Sequence, residues 1–201
     1  MDAKMEALVT RLEAAVKKLE TLGVAGPAAG GDEETEEYPQ VMAYDSTFYP
    51  KLDQMMAAAK AIDPEVEEMS SFIQKGFVEI RRLILCGARC NKPDDMNVVL
   101  KPIIEIKEAG FKFEKDHFRT KWVIQQKAFH EALSILDWPQ YGPAAANYVG
   151  DMTGAVECYT NKIAMQFRGV DENQMKWVQG LVGALKAIPE YLSDYHKTGL
   201  S

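Results

Sequence analysis

Apolar residues in the last third of the chain follow the longest helical pattern in the sequence. In the segments 148–167 and 175–195 they recur at steps of three and four residues, which gathers them on one face of an α-helix. Gly169 can take the left-handed conformation that closes a helix, and Asp171 with Gln174 resembles a capping box for the next one. In the first segment the predicted buried face comprises Tyr148, Met152, Val156, Tyr159, Ile163 and Phe167. We expect two antiparallel helices that need further helices to cover them.

The chain from Tyr38 to Pro139 supplies those further helices. Stripes of the same period predict a short helix followed by four longer ones, over 41–48, 52–62, 66–90, 96–113 and 122–136. Asp63 and Pro64 mark one boundary, because aspartate caps a helix and proline suits its first position. Pro102 falls inside the fourth of these helices and is expected to bend it. No segment alternates with the period of a β-strand, so the sequence predicts an all-α fold.

The first 22 residues carry a heptad pattern. Its apolar positions follow steps of four and three, at Met1, Met5, Leu8, Leu12, Ala15, Leu19 and Leu22, which is typical of a coiled-coil seam. Val9 and Val16 widen this seam and favour assembly of more than two helices. Since a helix of this length is marginal alone in water, we expect residues 1–22 to form a homo-oligomerising coiled coil. Residues 23–37 are small, then acidic, and predict a flexible linker, which leaves 38–201 as the folded domain.

Charge is distributed unevenly along the chain. The net charge of −7 conceals a basic middle, because residues 81–127 carry 11 basic and 6 acidic side chains whereas residues 1–80 carry 7 and 16. An acidic chain is a poor general binder of nucleic acid, but its basic middle could meet an acidic protein surface. The alternative is that these lysines and arginines only solvate helix faces.

The compartment and the cysteines give one consistent interpretation. Neither a secretory leader nor an apolar run near 18 residues occurs, which argues against secretion and membrane insertion. Cys86, Cys90 and Cys158 form no disulfide framework, so a reducing, cytoplasmic compartment is expected. Cys86 and Cys90 lie one helical turn apart, but no second pair of ligands matches them. We therefore interpret them as small buried apolar residues rather than as metal ligands.

The sequence contains no motif for catalysis. It lacks a phosphate-binding glycine loop, a nucleophile elbow, a zinc-protease pair of histidines and a dinucleotide fingerprint. Trp122, Trp138 and Trp177 are interpreted as core or interface anchors, because basic and aromatic residues do not alternate as they would in a nucleic-acid platform. We therefore expect a protein that is not an enzyme and that needs no cofactor or metal ion.

Several short motifs occur in a fixed order along the chain. Near the start, Arg11-Leu12-Glu13 is repeated as Lys18-Leu19-Glu20. The later motifs are Tyr44-Asp45-Ser46, Lys92-Pro93, Lys101-Pro102, Tyr159-Thr160-Asn161-Lys162, Val170-Asp171, Trp177-Val178 and Tyr195-His196-Lys197-Thr198-Gly199-Leu200. Together they resemble the amino-terminal half of the adenylyl cyclase-associated proteins (CAP), whose Arg-Leu-Glu signature is repeated with arginine where this chain has Lys18.

This resemblance implies an antiparallel six-helix bundle preceded by an oligomerising helix, which is associated in some members with adenylyl cyclase. In the family, the bundle binds the pointed end of actin filaments in the cortical cytoskeleton. There it works with cofilin to promote depolymerisation and recycling of actin monomers, and it is not an enzyme. The residues expected to serve oligomerisation and cyclase binding are Leu8, Arg11, Leu12, Glu13, Ala15, Leu19 and Leu22.

The basic middle of the chain suggests where actin or cofilin would bind. Lys92, Lys101, Arg119 and Lys121 combine positive charge with family-like motifs nearby, and we expect them to share one end of the bundle. The alternative function is an oligomeric adaptor that docks adenylyl cyclase or another signalling protein without contacting actin.

Overall fold

The apolar stripes that begin after Tyr38 all become α-helices in the computed structural model, which describes residues 38–89 and 95–199. The helices are α1 (Pro39–Ile62), α2 (Pro64–Arg89), α3 (Met96–Asp116), α4 (Val123–Ile135), α5 (Ala145–Phe167) and α6 (Glu172–Tyr195). Two short 3-10 helices, Trp138–Gln140 and Gly142–Ala144, connect α4 to α5. Within the two described ranges there is no strand, so the all-α prediction is confirmed.

The six helices form a closed antiparallel bundle. Each helix packs against the next, α1 also packs against α6, and α2 reaches across to α4. The contacts between α1 and α6 show their opposite directions: the Tyr191 hydroxyl donates to the Gln40 carbonyl at 3.0 Å, while the Gln54 amide donates to the Lys176 carbonyl at 3.1 Å. Residues later in α1 therefore lie beside residues earlier in α6. The predicted six-helix bundle is confirmed.

The bundle has two ends, called proximal and distal. The proximal end holds the start of α1, the end of α2, the start of α3, the 3-10 segments and the end of α6; there the Arg89 guanidinium lies 5.6 Å from the Tyr38 ring. The distal end holds the three connections α1–α2, α3–α4 and α5–α6. At this end the amide of Gln125 donates to the buried side-chain oxygen of Gln174 at 2.9 Å, which joins the first turns of α4 and α6.

The first two predicted helices are in fact one helix, α1, which continues through Pro50. Proline removes a backbone donor and usually breaks a helix at a cost of about 3 kcal/mol. Here Pro50 is exposed, so the carbonyl left without a donor can be hydrated. Phe48 and Leu52 on either side are fully buried, and each contributes about 1.5–3 kcal/mol by leaving water. Burial of the apolar stripe therefore outweighs the local preference.

The buried face of α5 agrees with the prediction at Val156 and Ile163, which are fully buried, and is shifted by one residue elsewhere. Its fully or nearly fully buried positions include Val149, Thr153 and Thr160, whereas the predicted Tyr148, Met152 and Tyr159 are only half-buried. Threonine can be buried here because its hydroxyl finds a hydrogen-bond acceptor in its own helix. The Thr153 hydroxyl donates to the Val149 carbonyl at 2.7 Å. A helix pattern that counts only apolar residues misses such positions.

The helix boundaries follow the predicted local chemistry with one exception. The Asp63 carboxylate accepts from the backbone amide of Glu65 at 3.0 Å and so caps α2. Gly169 is left-handed, with φ of 75°, and Asp171 caps α6 by accepting from the amides of residues 173 and 174. The capping box is only half-formed, because the Gln174 side chain does not reach back to Asp171. It bonds to α4 instead, since it is fully buried.

Three sequence interpretations concern residues away from the bundle core. The oligomerising residues between Leu8 and Leu22, and the linker 23–37, lie outside the described residues and stay predictions. Cys86 is exposed, so its interpretation as a buried apolar residue is wrong. It lies two residues beyond the buried Ile84, which turns it by about 200° from the buried stripe of α2. Cys90 is outside the described residues.

Candidate interaction surface

The cations predicted to contact a partner are separated by the length of the bundle. Arg119 and Lys121 lie in the connection between α3 and α4, at the distal end, whereas Lys101 lies in the second turn of α3, near the proximal end. From Lys101 to Asp116, the last residue of α3, the helix rises about 22 Å. The structure therefore does not bring Lys101 together with Arg119 and Lys121. Lys92 lies outside the described residues, and the contact role of all four stays a prediction.

Lys121 links two of the distal connections. Its Nζ lies 2.9 Å from an Asp63 carboxylate oxygen and 4.9 Å from the Trp122 ring centroid. The hydrogen bond from Lys121 lowers the pKa of the Asp63 carboxyl, and the bond from the Glu65 amide adds to the effect. The Lys121 side chain remains largely exposed, so this ion pair contributes little to stability. The pair shows that the α3–α4 connection lies next to the α1–α2 junction.

Arg119 and Phe118 project together from the same connection. The Arg119 guanidinium lies 5.1 Å from the Phe118 ring centroid, and Phe118 is 68% exposed. No ion pair of Arg119 occurs among the described residues. A cation stacked on an exposed aromatic ring presents charge and apolar area side by side, a combination common at protein interfaces.

Lys101 is placed differently. It pairs with Glu105, one helical turn further along α3, at 3.7 Å, and both side chains are largely exposed. Such a pair is worth only about 0.3–0.5 kcal/mol. The neighbouring Val98 is 68% exposed, so the proximal start of α3 also presents one cation beside one large apolar side chain. This similarity makes it a natural comparison for Phe118 and Arg119.

Two of the family-like motifs serve the packing of the bundle. The Tyr44 hydroxyl is buried and donates to the Phe77 carbonyl at 2.8 Å. Asp45 accepts two hydrogen bonds from Arg81, at 2.5 and 2.6 Å, which ties α1 to α2. Further along, the Tyr159 ring has a lysine on a neighbouring helix near it, Lys127 at 5.9 Å. The residues that carry a resemblance are therefore not automatically the residues that contact a partner.

The proximal end contains two small clefts that meet at Gly142. Their volumes are about 200 and 250 Å³, below the roughly 300–1,000 Å³ typical of small-molecule sites. His196 lines one of them, 3.2 Å from the Tyr191 hydroxyl, and burial lowers the pKa of His196. Burial likewise raises the pKa of Tyr191, so both groups are uncharged near neutral pH. Their contact stabilises the end of α6, and it does not activate either group as a nucleophile.

Four exposed distal residues were not predicted to contact a partner: Phe118, Met165, Arg168 and Val170. Met165 and Val170 are 85% and 79% exposed, and Arg168 between them is exposed as well. The sequence could have identified Phe118 and Val170, because an apolar residue in the connection between two helices belongs to no buried stripe. Met165 gave no such signal, since it lies within the last turn of α5.

No group of side chains in the described part of the chain could hold a metal ion. The same residues include no helix that is both long and apolar enough to cross a membrane.

Comparison with known proteins identifies the family. The model of the CAP N-terminal domain matches residues 44–200. Adenylyl cyclase-associated proteins from Hydra viridissima and Dictyostelium discoideum are 28% and 27% identical over 98% of this chain, and adenylyl cyclase-associated protein 1 from Macaca fascicularis is 26% identical over 98%. The matches cover 41%, 44% and 43% of these relatives, so the chain spans less than half of their length.

Solved structures give the same result. The N-terminal domain of the adenylyl cyclase-associated protein from Dictyostelium discoideum has a TM-score of 0.76 and 26% identity, covering 80% of this chain and 93% of that one. A second CAP N-terminal domain, whose crystal structure indicates variable oligomerisation, has a TM-score of 0.73 and 26% identity, covering 86% and 92%. Sequence and fold thus agree over the bundle, and this chain belongs to the adenylyl cyclase-associated protein family through its CAP N-terminal domain.

Proposed function

We propose that this chain is an actin-cytoskeleton regulator that binds filament pointed ends together with cofilin and promotes depolymerisation and monomer recycling. The observation that carries the proposal is the match to the CAP N-terminal domain over residues 44–200, reinforced by the shared bundle. The chain acts by binding rather than by catalysis, and its site of action is the cortical actin cytoskeleton.

The physical basis of such an activity is a difference in affinity. A bundle accelerates subunit loss only if it binds the departing arrangement of the terminal subunits more tightly than the ordinary filament. A tenfold acceleration requires about 1.4 kcal/mol of preferential binding. A few exposed side chains such as Phe118 and Arg119 can supply this amount, because single anchor residues at interfaces contribute more than about 1 kcal/mol.

The direct test follows single filaments and measures shortening at each end separately. We expect the full chain with cofilin to shorten the pointed end several-fold faster than cofilin alone and to leave the opposite end unchanged. Equal rates at both ends would contradict pointed-end action, and no acceleration at either end would contradict the function itself.

Removing residues 1–22 tests the contribution of oligomerisation. Several bundles on one oligomer can engage neighbouring subunits, and tethering of this kind raises avidity by roughly 10²–10⁴-fold. We therefore expect the shortened chain to have a smaller mass in solution and to need at least ten times more protein for half-maximal acceleration. An unchanged mass would overturn the assignment of the heptad seam.

The second candidate function is an adaptor that docks adenylyl cyclase or another signalling protein. The observation that favours it is the heptad seam of residues 1–22, which could bind a helix of another protein as readily as a copy of itself. Sedimentation with filaments separates the two functions, since an adaptor stays in the supernatant with and without cofilin.

A further inference from the structure

The distal end of the bundle is far from the point where the preceding chain is attached. Residues 1–37 connect to the bundle at Tyr38, at the proximal end, and the contact between Tyr191 and Gln40 places the end of α6 there too. Since α1 has 24 residues, about 36 Å of helix separate this end from the α1–α2 junction. The two ends of the bundle are therefore separate surfaces, and a contact at one end does not involve the other.

Two of the distal connections, α3–α4 and α5–α6, present apolar side chains to solvent. Phe118 is 68% exposed in the α3–α4 connection, while Met165 and Val170 are 85% and 79% exposed at and beyond the end of α5. The helices α4 and α5 pack against each other, and the bond from Gln125 to the first turn of α6 joins the same region. These side chains therefore lie at one end of the bundle, where they leave apolar area that a partner could cover.

Positive charge lies beside these exposed apolar side chains. Arg119 and Arg168 form no ion pair within the described ranges. The carboxylates next to these arginines in the sequence are engaged: Asp116 pairs with a lysine of its own helix, Asp171 caps α6, and Glu172 pairs with a lysine one turn on. The glutamates in the first turns of α2 form no ion pair among the same residues, so the available positive charge is confined to the α3–α4 and α5–α6 connections. An acidic partner would thus meet two available guanidinium groups beside exposed apolar area, a pairing that favours binding and orientation.

We propose that the distal surface, formed by Phe118, Arg119, Lys121, Met165, Arg168 and Val170, docks an acidic protein surface with an apolar depression at its centre. The proposal rests on the function above for the identity of the partner, which is the filament end. It assigns the contact to one end of the bundle and adds four residues to those predicted from charge. It also excludes Lys101, which lies near the other end.

A matched pair of variants tests this assignment. The distal variant carries Phe118→Ser and Arg119→Glu, and the control carries Val98→Ser and Lys101→Glu. Both change one large apolar residue of equal exposure and reverse one exposed charge near one end of α3. We expect the distal variant to lose about tenfold in the acceleration of filament shortening, which equals about 1.4 kcal/mol of binding, and the control to stay within twofold of the unchanged chain. Circular dichroism at 222 nm verifies that both remain helical.

A second distal variant, Arg168→Glu with Val170→Ser, makes the test independent of the α3–α4 connection and should show the same loss. Raising the salt concentration should weaken filament binding of the unchanged chain more than that of either distal variant, because each has lost a cation. Equal activity of the distal variants and the control would overturn the surface while leaving the function intact. Failure of the unchanged chain to shorten filaments would instead overturn the function and, with it, this partner.

Discussion

Replacing Gly180 with alanine is expected to lower the free energy of unfolding by about 3 kcal/mol. A Cβ atom at this position of α6 would lie 2.7 Å from the Lys51 carbonyl oxygen and 2.8 Å from the Met55 amide nitrogen, both in the backbone of α1. A flexible side chain could move aside, but a helix backbone cannot without separating α1 from α6 along their length. Overpacking of a tight core typically costs about 1–3 kcal/mol, and contact with backbone places Gly180 at the upper end of that range.

Gly183, three residues further along the same helix, is the matched control. The nearest atom to a Cβ there is the Lys51 Cδ at 3.5 Å, an ordinary contact with the flexible part of a side chain. Alanine in place of glycine within a helix gains up to about 1 kcal/mol, so Gly183→Ala should be neutral or stabilising. Urea unfolding followed by circular dichroism at 222 nm measures both. Equal midpoints for the two variants would show that α1 and α6 are not in the close contact described.

The close approach at Gly180 illustrates what a helical pattern cannot predict. The apolar period in 175–195 correctly indicates a helix with Leu181 and Leu185 buried, because the period reflects which face leaves water. It contains no information about the distance between two helix axes. That distance is set by the side chain at the crossing point, and only the packed structure identifies Gly180 as that residue.

The fold was predictable wherever burial and local preference agreed. Asp63 and Asp171 cap helices as their residue type suggests, and Gly169 takes the expected left-handed conformation. The prediction failed where the two disagreed. Pro50 should break a helix by local preference, yet the buried stripe on either side keeps α1 continuous. Thr153 should be polar surface, yet its hydroxyl bonds within α5 and allows burial.

The candidate surface was only partly predictable. Charge counting selected a basic middle segment and so found Arg119 and Lys121. It could not show that Lys101 lies about 22 Å of helix away from them. One charged segment of the sequence can extend from one end of a long helix to the other. Arg168 and Val170 lie outside that segment, and they join the distal surface only because α5 returns the chain to the same end. Surfaces formed at the ends of a bundle are assembled from distant parts of the sequence.

The second large effect is expected from Trp177→Ala, which should cost about 3–5 kcal/mol, as replacement of a buried aromatic residue by alanine does. Trp177 is fully buried, and its indole nitrogen donates to the Ser70 hydroxyl of α2 at 2.8 Å. The Ser70 hydroxyl donates in turn to the Val66 carbonyl at 2.7 Å. The indole therefore fills core volume between α6 and α2 and also has its one donor satisfied.

A double-mutant cycle separates those two contributions. Ser70→Ala alone leaves the buried indole donor without an acceptor, at a cost of about 1–3 kcal/mol, whereas Trp177→Phe alone removes donor and volume but leaves Ser70 bonded to Val66. If the hydrogen bond matters, the double variant should be more stable than the sum of the single losses predicts, by about 1 kcal/mol. Strictly additive losses in urea unfolding would mean that Trp177 acts through volume alone. A cost of Trp177→Ala near zero would contradict its place in the core, because no other residue could fill the space of the indole without the helices moving together.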